Sequence, residues 1–172
     1  KSDLIRLRSF TTEETLDGKP VKSKGEKRIG DFFFEYEVPY SYERPFTTDE
    51  GDLIRPDFYI PKPHNIIIEY CGLKGDPEYE RILKFKRDYW LRRNEKESEE
   101  DKFIILEINP EFICKSGSSF DDSRESDYQS LIALFQRNIH SQERKINFKR
   151  LTDEEIIFKL RSKIQLTFTD LL

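Results

Sequence analysis

Histidine, cysteine and methionine are scarce or missing in this chain, and each shortage removes a class of chemistry. Its 172 residues include two histidines, His64 and His140, and two cysteines, Cys71 and Cys114. Neither pair has ligand-like spacing, so a zinc centre is not expected. No Ser-His-Asp arrangement is present for a serine hydrolase, and no Gly-rich phosphate loop for an ATPase. Both thiols are expected to be reduced, in an intracellular (cytoplasmic) protein. Methionine is absent and the sequence starts at Lys1, so an initiator and a leading segment are expected upstream. No apolar run approaches the roughly 20 residues of a membrane span, no signal peptide is visible, and no membrane partner is expected. No internal repeat is apparent.

Aromatic rings and charge fill the gap. Hydrophobic residues make up only 35%, but 14 Phe and 8 Tyr bring large apolar surfaces to a core. The charged fraction of 37% suits a soluble protein, and the length suits one domain over 1–172. Charge is unevenly spread. Residues 1–30 carry eight basic and five acidic side chains, residues 31–60 two and eight, and residues 137–163 eight and four. An acidic centre between basic ends is the balance a metal-dependent enzyme acting on a polyanion needs, although ordinary solvated surface also produces it.

The pattern of elements predicts an α/β (α+β) protein with a mixed sheet flanked by helices. Residues 1–20 show no clear periodicity, and 16–20 read as a loop. Ser23 and Glu26 form a capping-box pattern for a helix whose apolar face is Ile29, Phe32, Phe33 and Tyr36, ended by Pro39. A strand is expected at 40–43, with Glu43 as a strand-edge residue, and a turn-rich link at 47–54. Asp76-Pro77 opens a second helix running to about Arg93. Residues 103–108 read as a buried strand and 115–125 as a Ser-rich linker. Two C-terminal helices are expected near 127–142 and 152–165, capped by Ser126 with Gln129 and by Thr152 with Glu155.

Two acids stand out within this frame. Asp57-Phe58-Tyr59-Ile60 and Ile66-Ile67-Ile68-Glu69 read as strands joined by the turn residues Pro61-Lys62-Pro63-His64-Asn65. A hairpin folded about Pro63 sets Asp57 opposite Glu69, with Cβ atoms about 4.5–5.5 Å apart. Carboxylates that close repel unless a cation lies between them, and hard oxygen ligands favour Mg²⁺ or Mn²⁺. On the Asp76–Pro77 helix, Tyr79, Ile82, Leu83 and Trp90 form one apolar stripe. Lys86 falls about 20° from the Tyr79 direction, inside that stripe, whereas Lys84 falls about 140° away. A lysine there either snorkels or needs a buried anion. The two acids supply one. Tyr70 and Trp90 read as core.

Lys22-Ser23-Lys24-Gly25-Glu26, Tyr42-Glu43, Arg55-Pro56-Asp57-Phe58, Ile68-Glu69-Tyr70-Cys71-Gly72, Tyr79 and Lys86-Arg87 together resemble the PD-(D/E)xK (restriction-endonuclease-like) nuclease superfamily over about residues 21–108. The similar branches are nuclease domains found alone or fused to helicases and, more distantly, archaeal Holliday-junction resolvases. The family's usual lysine, two positions after the second acid, falls here at Cys71. Some members supply it from the following helix, where Lys86 stands. The resemblance implies a restriction-endonuclease-like core and metal-dependent hydrolysis of DNA phosphodiesters. It also implies Mg²⁺ or Mn²⁺ held by Asp57, Glu69, the Cys71 backbone carbonyl and Glu26, with Lys86 orienting water or neutralising developing charge. Glu26 is equally explained by its capping box. Lys22, Lys24, Arg55 and Arg87 are expected to touch DNA phosphates. A helicase or recombination partner is expected, and two alternatives remain open: a homodimeric, structure-selective or junction-resolving endonuclease, and a catalytically silent DNA-binding module of the same fold.

Overall fold

The computed structural model describes residues 13–73, 75–113 and 119–169. Two compact units form: Lys1–Val38 with Asn147–Leu172, and Pro39–Ile146. Cys114 and the first part of the expected Ser-rich linker lie outside the described residues.

In the first unit, β1 (Glu13–Glu14) and β2 (Pro20–Val21) pair antiparallel around the expected loop, and α1 runs over Lys24–Glu35. Gly18 takes φ +78° in that loop, a left-handed turn position that glycine adopts without strain. Ser23 caps α1 by accepting the Glu26 amide at 3.1 Å, and Ile29, Phe32, Phe33 and Tyr36 are buried as their spacing predicts. The final helix, α4 (Asp153–Thr169), opens on a reciprocal box. The Glu155 amide donates to Thr152 Oγ1 at 3.2 Å, and the Thr152 amide donates to Glu155 Oε2 at 2.7 Å. Arg150 meets the buried Glu35 carboxylate at 2.7 Å, and the Leu151 amide donates to the Glu35 carbonyl.

The second unit is built on a four-stranded mixed sheet in the order β3 (Ser41–Tyr42), β6 (Phe58–Ile60), β7 (Ile66–Tyr70), β8 (Ile104–Ile108). β3, β6 and β7 are antiparallel neighbours, while β7 and β8 run parallel. A parallel step needs a crossover, and α2 (Pro77–Asn94) supplies it. Asp76 caps α2 by accepting the Tyr79 amide at 2.8 Å, with Pro77 at the first helical position. The expected link at 47–54 folds instead into a small hairpin, β4 (Phe46–Thr47) with β5 (Leu53–Ile54).

The helix expected at 127–142 is α3, Arg124–Asn138, and its predicted cap is corrected. Ser126 lies inside the first turn with its hydroxyl donating to the Ser123 carbonyl, and Gln129 bonds Glu125. Ser123 occupies the cap position, and its hydroxyl donates to the buried Asp127 carboxylate rather than accepting a backbone amide. A short 3₁₀ turn follows at Gln142–Arg144. Among the described residues there are four α-helices, and no helix is long and apolar enough to cross a membrane.

Side chains alternate across β6, β7 and β8. Tyr59 and Ile67 meet Trp90 of α2 in one buried cluster, joined by Ile54 and ringed by Phe46, Tyr89, Phe103 and Ile105. Phe58, Ile60, Ile66 and Ile68, on the other face, are also fully buried. At the far end of the strands Asn65, itself at φ +53°, accepts the Tyr59 hydroxyl at 3.0 Å. Arg144 closes the same corner, its guanidinium donating to the carbonyls of His64, Asn65 and Lys102.

Candidate functional site

The expected hairpin register is present. Phe58 pairs with Ile68, Tyr59 with Ile67 and Ile60 with Ile66. One more step of that ladder sets Asp57, immediately before β6, against Glu69. Backbone and side-chain bonds hold Asp57 there: its carbonyl accepts the Glu43 amide at 3.0 Å, and Oδ2 accepts the Tyr70 amide at 2.8 Å. Both carboxyl-bearing residues are buried, Asp57 at 3% and Glu69 at 4% exposure.

Lys86 comes in from α2 as its helical phase predicts. Its ammonium donates to Glu69 Oε2 at 2.8 Å, and the pair is largely shielded, with side-chain exposures of 15% and 5%. Tyr79, Leu83 and Trp90 are buried on the same helix face. Ile82 departs from the predicted stripe and is 39% exposed, so the buried face is narrower on that side than its spacing suggests. Lys84 is exposed, on the rim of the cleft described below.

Cys71 follows β7 directly, with its backbone amide donating to the Ile108 carbonyl at 2.8 Å. Its thiol is buried among acids. Burial first, then the Glu107, Glu69 and Asp57 carboxylates, push it up to about 12, so it stays a neutral thiol at physiological pH. Tyr79 donates its hydroxyl to the Tyr70 carbonyl at 2.6 Å and packs with Leu83 on Cys71, closing this part of the sheet from above.

Sequence reasoning missed one acid. β7 and β8 pair in parallel with Glu69 opposite Glu107, so Asp57, Glu69 and Glu107 form one row across three strands, on the face that α2 covers. Arg87, next to Lys86, grips Glu107 with a two-pronged bond, Nε to Oε1 and Nη2 to Oε2, both at 2.6 Å. The two strands carry the same pattern, Ile-Ile-Ile-Glu-Tyr and Ile-Ile-Leu-Glu-Ile, and aligning them puts the glutamates in step. That was the available signal. A cleft of about 430 Å³ opens beside the row, lined by Cys71, Leu83, Lys84, Arg87, Glu107 and Asn109 among others.

Of the remaining expected residues, Arg55 is exposed just ahead of Asp57. Glu26, Lys22 and Lys24 belong to the first unit, where Glu26 is buried and its Oε2 accepts the Lys22 amide at 2.7 Å. Lys24 is exposed and Lys22 half-buried. Among the described residues, no group of three or more His, Cys, Asp or Glu is placed to hold a metal ion. The hairpin register aligns two residues that carry hard carboxylates, Asp57 and Glu69. That donor set suits Mg²⁺, which characteristically takes one or two carboxylates and fills its octahedron with water and substrate phosphate. Comparison of the chain with protein-family models, with curated proteins and with solved structures finds no match.

Proposed function

We propose that this protein is a metal-dependent nuclease that hydrolyses DNA phosphodiesters, on a restriction-endonuclease-like core of the PD-(D/E)xK type. The observation that carries the reading is the convergence of three sequence-distant groups: Asp57 and Glu69 from adjoining strands, and Lys86 from the crossover helix at 2.8 Å from Glu69. Asp57 and Glu69 would hold Mg²⁺ or Mn²⁺, which supplies Lewis-acid polarisation of a phosphate and a more acidic bound water.

The protein's own groups do the positioning. The Tyr70 amide fixes one Asp57 oxygen. Lys86 places a positive charge beside Glu69, where it can donate to an attacking water or to a phosphate oxygen as negative charge develops. Cys71 stands where a lysine is usual in this type of site. Its neutral thiol contributes no charge, and Lys86 brings a cation into contact with Glu69.

The test is a cleavage panel of supercoiled, linear, flapped and cruciform DNA, each with Mg²⁺, Mn²⁺ or chelator. Cleavage is expected only with metal. Asp57→Asn keeps an oxygen for the Tyr70 amide but loses the charge, and Glu69→Gln likewise loses its charge. Both are expected to abolish cleavage while DNA binding persists. Undiminished cleavage by these variants would remove the site from consideration.

A further inference from the structure

Glu107 and Arg87 take no part in the chemistry just described, yet they sit in line with it. We propose that Arg87 is the residue of this cleft that grips a DNA phosphate, and that Glu107 is a positioning residue occupying the Arg87 guanidinium in the phosphate's place until DNA arrives. The inference rests on the nucleic-acid reading above.

Geometry supplies the first argument. A guanidinium fork recognises a carboxylate and a phosphate in the same planar, two-oxygen manner. Glu107 presents both oxygens to Nε and Nη2 at 2.6 Å, so Arg87 is already shaped for a phosphate.

Exposure supplies the second. The Lys86–Glu69 pair is 15% and 5% exposed, whereas Arg87 and Glu107 are 47% and 28% exposed. An ion pair open to water contributes little and exchanges readily, while a shielded one is costly to break. Of the two pairs made by consecutive residues of α2, only the second is open to competition from an incoming anion.

Position supplies the third. Glu69 and Glu107 are direct partners on neighbouring strands, so a phosphate taken by Arg87 lies about one strand spacing from the Asp57–Glu69 pair. Lys84 and Asn109 line the same cleft of about 430 Å³ and offer further donors. Seated on Arg87, the Glu107 carboxylate keeps the cleft selective, because an anion that cannot fill the fork leaves Glu107 in place.

Binding without catalysis tests this. Anisotropy of a fluorescein-labelled DNA duplex is followed across a salt series, with divalent metal left out. Glu107→Gln is expected to tighten binding about tenfold by freeing the fork. Glu107→Asp, whose shorter side chain falls short of the fork, is expected to tighten it as well, which guards against a folding artefact in either variant. Arg87→Ala is expected to weaken binding and reduce the slope of log affinity on log salt by about one. Arg87→Lys should keep the slope but not the full affinity, and the Glu107→Gln/Arg87→Ala protein should behave as Arg87→Ala alone. If neither Glu107 variant tightens binding while the wild type still cleaves DNA with metal, this inference is wrong and the nuclease reading stands. If these variants shift binding as expected but no DNA is cleaved with any metal, the nuclease reading fails and the phosphate grip stands. No binding of DNA by any variant overturns both.

Discussion

Lys86→Ala removes one partner of a well-shielded ion pair of the second unit, and the size of the effect follows from the geometry. Nζ lies 2.8 Å from Glu69 Oε2, with the lysine side chain 15% exposed and the glutamate 5%. Breaking a buried pair by deleting one partner costs about 3–5 kcal/mol, and the residual exposure of Lys86 places this one near about 3 kcal/mol. For a chain of this length each kcal/mol moves the melting temperature about 3 °C, so Lys86→Ala is expected to melt about 9 °C below wild type. Lys84→Ala, two residues earlier and exposed, is expected to stay within about 0.5 kcal/mol. Charge and packing separate in a double-mutant cycle. Lys86→Met keeps most of the aliphatic stem and should lose nearly as much as Lys86→Ala, and adding Glu69→Gln should recover about 2 kcal/mol of that loss. Thermal unfolding at neutral pH, followed by far-UV circular dichroism, reads all of these. Equal melting temperatures for the Lys86→Ala and Lys84→Ala proteins, or strict additivity in the cycle, would refute the claim that Lys86 is buried against Glu69.

The Cys71 thiol gives a pH prediction. Its folded value, about 12, exceeds the ordinary value of 9.0, so the unfolded chain releases the proton first. The resulting stability is intact below about pH 9 and is lost as pH rises toward 12, and Cys71→Ala should flatten the decline in unfolding free energy measured by urea titration over that window. Glu107→Gln removes the leading charge that raises the thiol and should move the onset of alkylation by iodoacetamide to lower pH. At the α4 start, Thr152→Ala removes the hydroxyl that accepts the Glu155 amide, leaves the bond from the residue 152 amide to Glu155, and should cost about 1 kcal/mol, or about 3 °C in melting temperature. Ser126→Ala, at the cap position that the sequence suggested for α3, should leave the melting temperature within about 2 °C.

Local chemistry was legible wherever the deciding neighbours are close in sequence. The Asp57–Glu69 register follows from two apolar runs joined by a Pro-rich turn, and its pairs are present from Phe58–Ile68 to Ile60–Ile66. Asp76-Pro77 announces α2, and the phase of Tyr79, Leu83 and Trp90 turns Lys86 inward. Relations across longer stretches were harder to read. The parallel β7–β8 step is separated by all of α2, so no turn fixes its register, and Glu107 went unassigned although it occupies the same place in its strand as Glu69. The α3 cap misled because Ser-x-x-Gln at 126–129 looks like a box. The helix begins nearer Ser123, where the hydroxyl is held by Asp127. The two-residue strands of β4 and β5 are too short to show an alternation of their own.

The corner formed by Asn65 and Arg144 governs something far from itself. A strand displaced by one residue presents the opposite set of side chains, so β7 slipping a single notch would swing Glu69 to the other side of the sheet and bring Ile68 or Tyr70 into its place. One guanidinium spanning three carbonyls of the turn and the β8 entrance acts as a peg against that slip. Arg144 is bonded to none of the three acids, yet the face that Glu69 occupies, four residues downstream of Asn65, depends on the corner that it locks.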